Sequence, residues 1–334
     1  MMNDVRTAHW RQKWSMPGTP WTITGFSRAA YRTGFYIPEL DILLDAGPQC
    51  FNHPSSIFIT HTHGDHIANL PFTFIGDENG DHFIHLYAPL EAEYHLRKYI
   101  SCLFEVNSLK SEEQLPCREW YEYHGYNTPT TFRTILNKSN FEVDVVICDH
   151  SIPTISYCFS LIKQKLKPEL SGKTTREIGQ LRKSGAEVTQ EVVCPSFAFI
   201  CDTSIEILVT FPKIVTYPIV IIECTFLYPE ERENARETKH IHWEELRPYV
   251  VANPNTIFVL IHFSLRYKEE EIIQFFRNQK EEHPEESYEN LKVWAGDTMK
   301  SIWDEISEGD LKFDELRETL ELSDHSGCCS SMEH

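Results

Sequence analysis

The stretch FITHTHGDHI, Phe58 to Ile67, carries His61, His63, Asp65 and His66 within six positions. Imidazole and carboxylate are the donors that borderline divalent cations take, and a catalytic site of that kind keeps positions open for water. His61 and His63, alternate residues of a tight turn, can grip one ion. Asp65 and His66 can reach a second ion a few ångströms away. A carboxylate touching both ions has to come from elsewhere, because the turn is used up. The competing reading is a polar loop that collects histidines by chance. Against it stands SSIFITH, an apolar strand that ends where the cluster begins.

A scaffold must bring further donors to the same place. WTITGF, GFYI and LDILLDAG read as strands, and PLEAEYHLRKYISCLF has apolar positions at helical spacing. FEVDVVICDH and ISYCFSLI alternate like a strand pair around His150. SFAFICDTS and PIVIIECTF are apolar strands that each stop at an acid, and TIFVLIHFS stops at His262. HIHWEELRPYVVAN, EEEIIQFFRNQK and TMKSIWDEI read as helices. Five strands thus end at His61, His150, Asp202, Glu223 or His262. Strand ends occupy one rim of a sheet, so these groups are placed to converge. Each has a bland alternative: a surface histidine, a turn-forming Asp, a solvated Glu. His53, His82, His85, His95 and His124 lack such context and read as ordinary. Asp297, in AGDTM, reads as a turn residue.

The 334 residues are 41% hydrophobic and 12% aromatic, enough for a sizeable core in one or two domains. No apolar run approaches the roughly 20 residues that span a bilayer. The N-terminus lacks the apolar segment of a secretory signal, and the ten cysteines are scattered, so they read as reduced thiols of a non-secreted protein, cytoplasmic first, with a nuclear or organellar place left open. A net charge of −19 is awkward for a nucleic-acid binder. The charge is uneven, however. Between Leu161 and Gly185, Lys163, Lys165, Lys167, Lys173, Arg176, Arg182 and Lys183 face only Glu169 and Glu177, whereas acids dominate after Glu269. That stretch is either a local basic surface or a solvated loop.

HTHGDH, preceded by DILLDAG and a strand, resembles the metallo-β-lactamase superfamily motif. The later blocks narrow the resemblance to the tRNase Z family of tRNA 3′-processing endonucleases. DHSIPTISYCF resembles its third-histidine segment, FAFICDTS its aspartate block and IIECTFL its glutamate block. RETKHIHWEEL resembles the short histidine motif that follows, LIHFSLRY the final histidine block, and KLKPELSGKTTREIGQLRKSGAEVT the linker of short-form members. The blocks stand in family order from Thr24 to Tyr267.

The resemblance implies an α/β fold, the metallo-β-lactamase αββα sandwich of two mixed β-sheets flanked by helices. It implies a hydrolase domain over 1–310 and an acidic tail over 311–334 that holds Cys328 and Cys329. His61, His63 and His150 would hold one metal, Asp65, His66 and His262 a second, and Asp202 would bridge them. Two Zn2+ are favoured, with Mn2+ the other candidate. Asp65 would orient a metal-bridging hydroxide. His240, held by Glu223, would be the general acid; His242 is passed over because His240 has the family's separation from His262. The implied reaction is metal-dependent cleavage of the 3′ trailer from precursor tRNA, leaving a 3′-hydroxyl on the tRNA. The basic residues named above would contact the RNA, setting position rather than sequence. A homodimer is expected, and no membrane association.

Two positions depart from the family: Cys201 stands before the aspartate where Gly is usual, and Ser156 precedes Tyr157 where Gly is usual. Cys201 either crowds the bridging position or is harmless. No Gly/Pro-rich arm for gripping tRNA is evident, and the aromatic-rich stretch 103–140 is unassigned. Two rival readings remain. One keeps the site but changes the substrate to another phosphodiester or small molecule; the other is a metal-bound scaffold without turnover. The Glu223/His240 pair favours RNA over a small ester, and the full donor set argues against a scaffold.

Overall fold

The computed structural model describes residues 9–10, 12–74, 83–110 and 121–296. The expected helix TMKSIWDEI, Asp297 and the 311–334 tail with Cys328 and Cys329 lie outside these residues, as does His82. Strands β1 (Lys13–Ser15), β2 (Thr22–Arg28), β3 (Arg32–Ile37), β4 (Ile42–Leu44), β5 (Ser56–Phe58), β6 (Ile84–Pro89) and β7 (Tyr121–Tyr126) form one sheet in sequence order. The second sheet takes β8 (Thr130–Leu136), β9 (Ser139–Cys148), β10 (Thr154–Leu166), β11 (Thr189–Ile200), β12 (Ile219–Glu223), β13 (Ile257–Ile261) and β14 (Leu291–Val293), also in order. Each sheet runs antiparallel through its first four strands and parallel from the fourth onward. The two sheets therefore share one topology.

The short apolar strands are buried on both faces, which is why they read as continuous apolar runs rather than as alternation. On the inner side Phe58 meets Tyr157 and Phe159 edge-on, and Phe35 meets Phe199 and Trp294. Truncating a ring such as Phe58 to Ala would cost about 3–5 kcal/mol. On the outer side Leu43, Ile57 and Leu86 pack with Leu96 and Ile100 of helix α2 (Glu93–Ser108), after the short helix α1 (Gly64–Ile67). Beyond the short helices α4 (Glu206–Thr210) and α5 (Arg232–Thr238), helices α6 (Trp243–Ala252) and α7 (Glu269–Glu282) supply Trp243, Leu246, Val250, Ile272 and Phe276 to the core of the second sheet. Two mixed sheets flanked by helices are the αββα sandwich expected. Among the described residues no helix is long and apolar enough to cross a membrane.

The basic stretch is not a loop. β9 pairs with β10 only as far as Leu161, and β12 pairs with β11 only from Ala198. Ile162–Leu166 and Val193–Thr189 therefore continue as a two-stranded ribbon beyond the sheet. Helix α3 (Thr175–Lys183) caps its tip, buries no residue, and begins at a capping box between Thr174 and Glu177. Lys163, Lys165, Lys173, Arg176, Arg182 and Lys183 are exposed on this arm, while Lys167 pairs with Glu187 at 3.1 Å.

Candidate metal centre

The chain leaves the carboxyl ends of β4, β5, β9, β11, β12 and β13 at one rim, and each exit places a polar group there. Asp45 directly follows β4, Asp202 follows β11 and His262 directly follows β13, with left-handed φ of 56°, 28° and 64°. Such backbone costs roughly 1–3 kcal/mol per residue and persists where the surroundings hold it. The β5 exit runs through Thr60 to α1, so His61, His63, Asp65 and His66 fall on one short turn. Gly47 is required beneath that turn, since a Cβ there would overlap the Asp65 carbonyl oxygen. The two sheets are tied at this rim by Ile155 N–H donating to the Thr60 carbonyl, 2.9 Å.

The seven expected side chains come together. Oδ2 of Asp202 lies 3.3 Å from His61 Nε2 and 3.8 Å from His150 Nε2. His63 Nδ1 is 3.1 Å from His61 Nε2 and 3.3 Å from His150 Nε2. The other oxygen, Oδ1, lies 3.5 Å from His66 Nε2 and 3.2 Å from His262 Nε2. Asp65 Oδ2 is 3.6 and 3.5 Å from those same two nitrogens, which are 3.3 Å apart. A tetrahedral zinc with arms of about 2.0–2.1 Å has donor–donor edges of about 3.3–3.4 Å. Both groups of donors thus match the edges of a cation cage, and one carboxylate faces both.

The outer nitrogens fix which lone pairs face inward. Asp45, fully buried, accepts from His66 Nδ1 at 2.9 Å and from the Thr60 hydroxyl at 2.9 Å. That hydroxyl sits 3.0 Å from His61 Nδ1. Because its one proton goes to Asp45, it accepts from His61. The same relay recurs in the second sheet: Thr225 donates to Glu223 Oε2 at 2.6 Å and faces His262 Nδ1 at 3.1 Å. His150 Nδ1 faces the Lys239 carbonyl at 3.4 Å. All four rings turn Nε2 toward the cage, the arrangement that orients imidazole ligands.

Electrostatics agree. Burial holds His61 down to about 3, with His66 adding to the effect, and burial also lowers His63 and His150, so these rings are neutral. Burial opposes a charge on Asp202, but His262, His66 and His61 hold its carboxyl well below the usual range. For Asp65 burial again opposes the charge, and the His262 hydrogen bond and the His66 charge override it. Burial opposes a proton on His66, yet Asp202 and Asp45 keep its pKa well above 6.5. That proton stands where a cation would bind, so cation uptake would displace it.

His240 and Glu223 sit beside the cage, and His240 lines an open cleft of about 860 Å³ together with His63, Asp65, Asp202 and His262. Glu223 is completely buried and accepts from His240 Nδ1 at 2.9 Å, Thr203 N–H at 2.7 Å and Ile241 N–H at 3.2 Å. Burial opposes a charge on His240, but Glu223 overrides it and pushes the pKa up to about 9. His242 is turned away: its Nε2 donates to the Tyr228 carbonyl at 2.8 Å, and its Nδ1 caps α6 by accepting from Glu244 N–H.

No family model matches the chain. The tRNase Z TRZ1 of Arabidopsis thaliana is 28% identical over 258 residues, covering 75% of this chain and 88% of that protein. The chloroplastic tRNase Z TRZ2 of the same plant is 26% identical over 264 residues, covering 75% and 70%. This chain is similar to tRNase Z proteins. Among solved structures, the human short-form tRNase Z covers 73% of this chain and 93% of its own at 18% identity, with a TM-score of 0.46.

Several working residues were not foreseen. Asp45 appeared only as the end of an apolar run, and Thr60 and Thr225 as ordinary threonines, although they set the tautomers. Arg28 was also missed. It is buried, and its guanidinium donates to the carbonyls of Phe263, Ser264, Tyr267 and Ala295, clasping the turn that carries His262. Ala30 N–H, in the β2–β3 turn, donates to Asp65 Oδ2 at 2.8 Å. Cys201 lies beside the bridging position rather than within it: its buried thiol donates to Asp202 Oδ1 at 3.2 Å, and burial pushes its pKa well up, so it remains a donor. The Ser156 hydroxyl accepts from Cys201 N–H at 3.3 Å. His85 and His124, read as ordinary, lie together with Glu122.

Proposed function

We propose that the chain is a metal-dependent endoribonuclease that removes the 3′ trailer from precursor tRNA. In this reading His61, His63 and His150 would hold one Zn2+, Asp65, His66 and His262 would hold the other, and Asp202 would serve both. The observation that carries the reading is the division of Asp202: Oδ2 faces one set of histidines, Oδ1 the other, at edge lengths that suit zinc. Bound cations would polarise the scissile phosphodiester and supply an activated water near neutral pH.

The protein's own groups do the rest. Asp65, fixed by Ala30 N–H and facing His262, orients the attacking water. His240 keeps its Nδ1 proton on Glu223 and presents Nε2 to the cleft. From there it delivers a proton to the departing O3′ of the tRNA as the P–O3′ bond breaks, which leaves the 5′-phosphate on the trailer. Tyr31, Arg32 and Arg266 line the cleft and suit a single-stranded phosphate chain. The arm bearing Lys163, Lys165, Lys167, Lys173, Arg176, Arg182 and Lys183 would take the backbone of the acceptor stem, and a homodimer would bring one subunit's arm toward its partner's cleft. The cysteines of the described residues are free thiols, in keeping with a reducing compartment such as the cytoplasm.

The test is incubation of purified protein with 3′-extended tRNA and, separately, with bis(p-nitrophenyl) phosphate, with and without a chelator. Chelator-sensitive cleavage of the tRNA at one position after the acceptor stem is expected. Cleavage of the small ester alone would overturn the tRNA assignment, and bound zinc with neither substrate cleaved would make the protein a scaffold.

A further inference from the structure

Another group of metal-type donors lies on the first sheet, away from the paired cage. β6 and β7 run parallel with His85 opposite Glu122 and Tyr87 opposite His124. This register sets His85, Glu122 and His124 on one face. His85 also pairs with Ser56 at the start of β5, the end of that strand remote from the turn bearing His61. His85 Nδ1 is 3.1 Å from His124 Nε2, and Glu122 Oε2 is 3.5 Å from each of those nitrogens. The Tyr87 ring stacks on His124 at 4.6 Å and 17°, and Phe83 meets His85 edge-on at 5.5 Å, so aromatic contacts hold both imidazoles.

We propose that His85, Glu122 and His124 bind a further divalent cation of the zinc class, independent of the paired cage. The three donor atoms form a triangle whose edges match those of the paired site. A point about 2.0–2.1 Å from all three lies roughly half an ångström out of their plane, which is the zinc–ligand distance for nitrogen and carboxylate oxygen. Hydrogen bonding among the three explains the geometry less well. The two rings can share one proton across 3.1 Å, but 3.5 Å is long for a hydrogen bond to the carboxylate from either nitrogen. An oxygen equidistant from two imidazole nitrogens and bonded to neither is placed as a third ligand around a common centre. Two imidazoles and one carboxylate favour zinc over calcium or magnesium. Glu122 is exposed, so water can complete the coordination. Among the described residues β7 is the edge of its sheet and pairs only with β6, so the cation would cross-link an edge strand to its neighbour.

The test is zinc per chain in the full-length protein, stripped with chelator, reloaded with Zn2+, passed over a gel-filtration column and measured by elemental mass spectrometry. His85→Ala/His124→Ala is expected to hold one equivalent less than the wild type while cleaving 3′-extended tRNA at the wild-type rate. Glu122→Gln, which preserves size, is expected to lose the same equivalent and decides the matter if the double variant fails to fold. Reloading should raise the wild-type melting temperature more than that of either variant. Equal zinc content in wild type and Glu122→Gln, or an extra equivalent lost from the wild type itself on the column, would overturn the site. Because the readout is a difference between wild type and variants, it stands apart from whether the paired cage cleaves tRNA.

Discussion

Glu223→Gln probes the link between burial, charge and chemistry most sharply. The carboxylate accepts from His240 Nδ1, Thr225 Oγ1, Thr203 N–H and Ile241 N–H while fully buried, and against burial its charge and hydrogen bond, with Asp202 adding, raise His240 from 6.5 to about 9. Glutamine preserves shape and removes that charge, so burial pulls His240 back down toward its ordinary value, with only Asp202 still opposing. Losing the whole rise from 6.5 to about 9 would correspond to ~3 kcal/mol of support for the imidazolium, an upper bound for this variant. The sign follows directly: a general acid with a raised pKa is protonated at neutral pH and is lost as pH rises through that value. Between the two pKa values the protonated fraction falls roughly 10–100-fold, and at pH 6 most of the deficit disappears. Cations in the cage would lower both positions, so the displacement between wild type and variant carries the expectation. The assay is kcat on 3′-extended tRNA from pH 6 to 10, with metal content measured alongside. The variant's alkaline limb should move down by up to about 2–3 units. His240→Ala should abolish the limb, retain metal and lower kcat by roughly 10²–10⁴-fold. A deficit equal at every pH, or metal loss in His240→Ala, would refute the role given to this pair.

Other outcomes follow from the same geometry. Asp202→Ala should abolish cleavage and reduce the zinc held by the cage, read by activity and elemental analysis, because its two oxygens serve both donor sets. Thr225→Val keeps the shape but removes the partner of His262 Nδ1, so zinc affinity in a competitive chelator titration should fall about 10–100-fold. Replacing Lys163, Lys165 and Lys173 with alanine should raise KM for precursor tRNA and flatten its salt dependence, with cleavage of bis(p-nitrophenyl) phosphate unchanged.

Most of the donor set was legible because each member sits just past an apolar strand, and strands with two buried faces announce themselves as unbroken apolar runs. His61, Asp202, Glu223 and His262 are readable in this way. Asp45 sits at the end of such a run too, but its work is to reach His66, 21 residues further on, and only the fold shows that reach. Thr225 is visible merely as a threonine between a strand and a helix. His85 and His124 are 39 residues apart and meet through the register of two parallel strands, of which β7 is half-exposed and carries little apolar pattern. The basic stretch stayed open between a basic surface and a solvated loop because a two-stranded ribbon outside the sheet has no core to impose alternation. Its lysines can therefore occupy both faces, and α3 buries nothing that would mark it as a helix.

The central claim is that Asp202 stands between two cations. An anomalous-difference map at the zinc edge, from crystals of the zinc-loaded protein, tests it directly. Two peaks about 3.5–4 Å apart are expected, one bounded by His61, His63 and His150, the other by Asp65, His66 and His262, with one Asp202 oxygen toward each. A single peak, or two peaks that do not share Asp202, would contradict it.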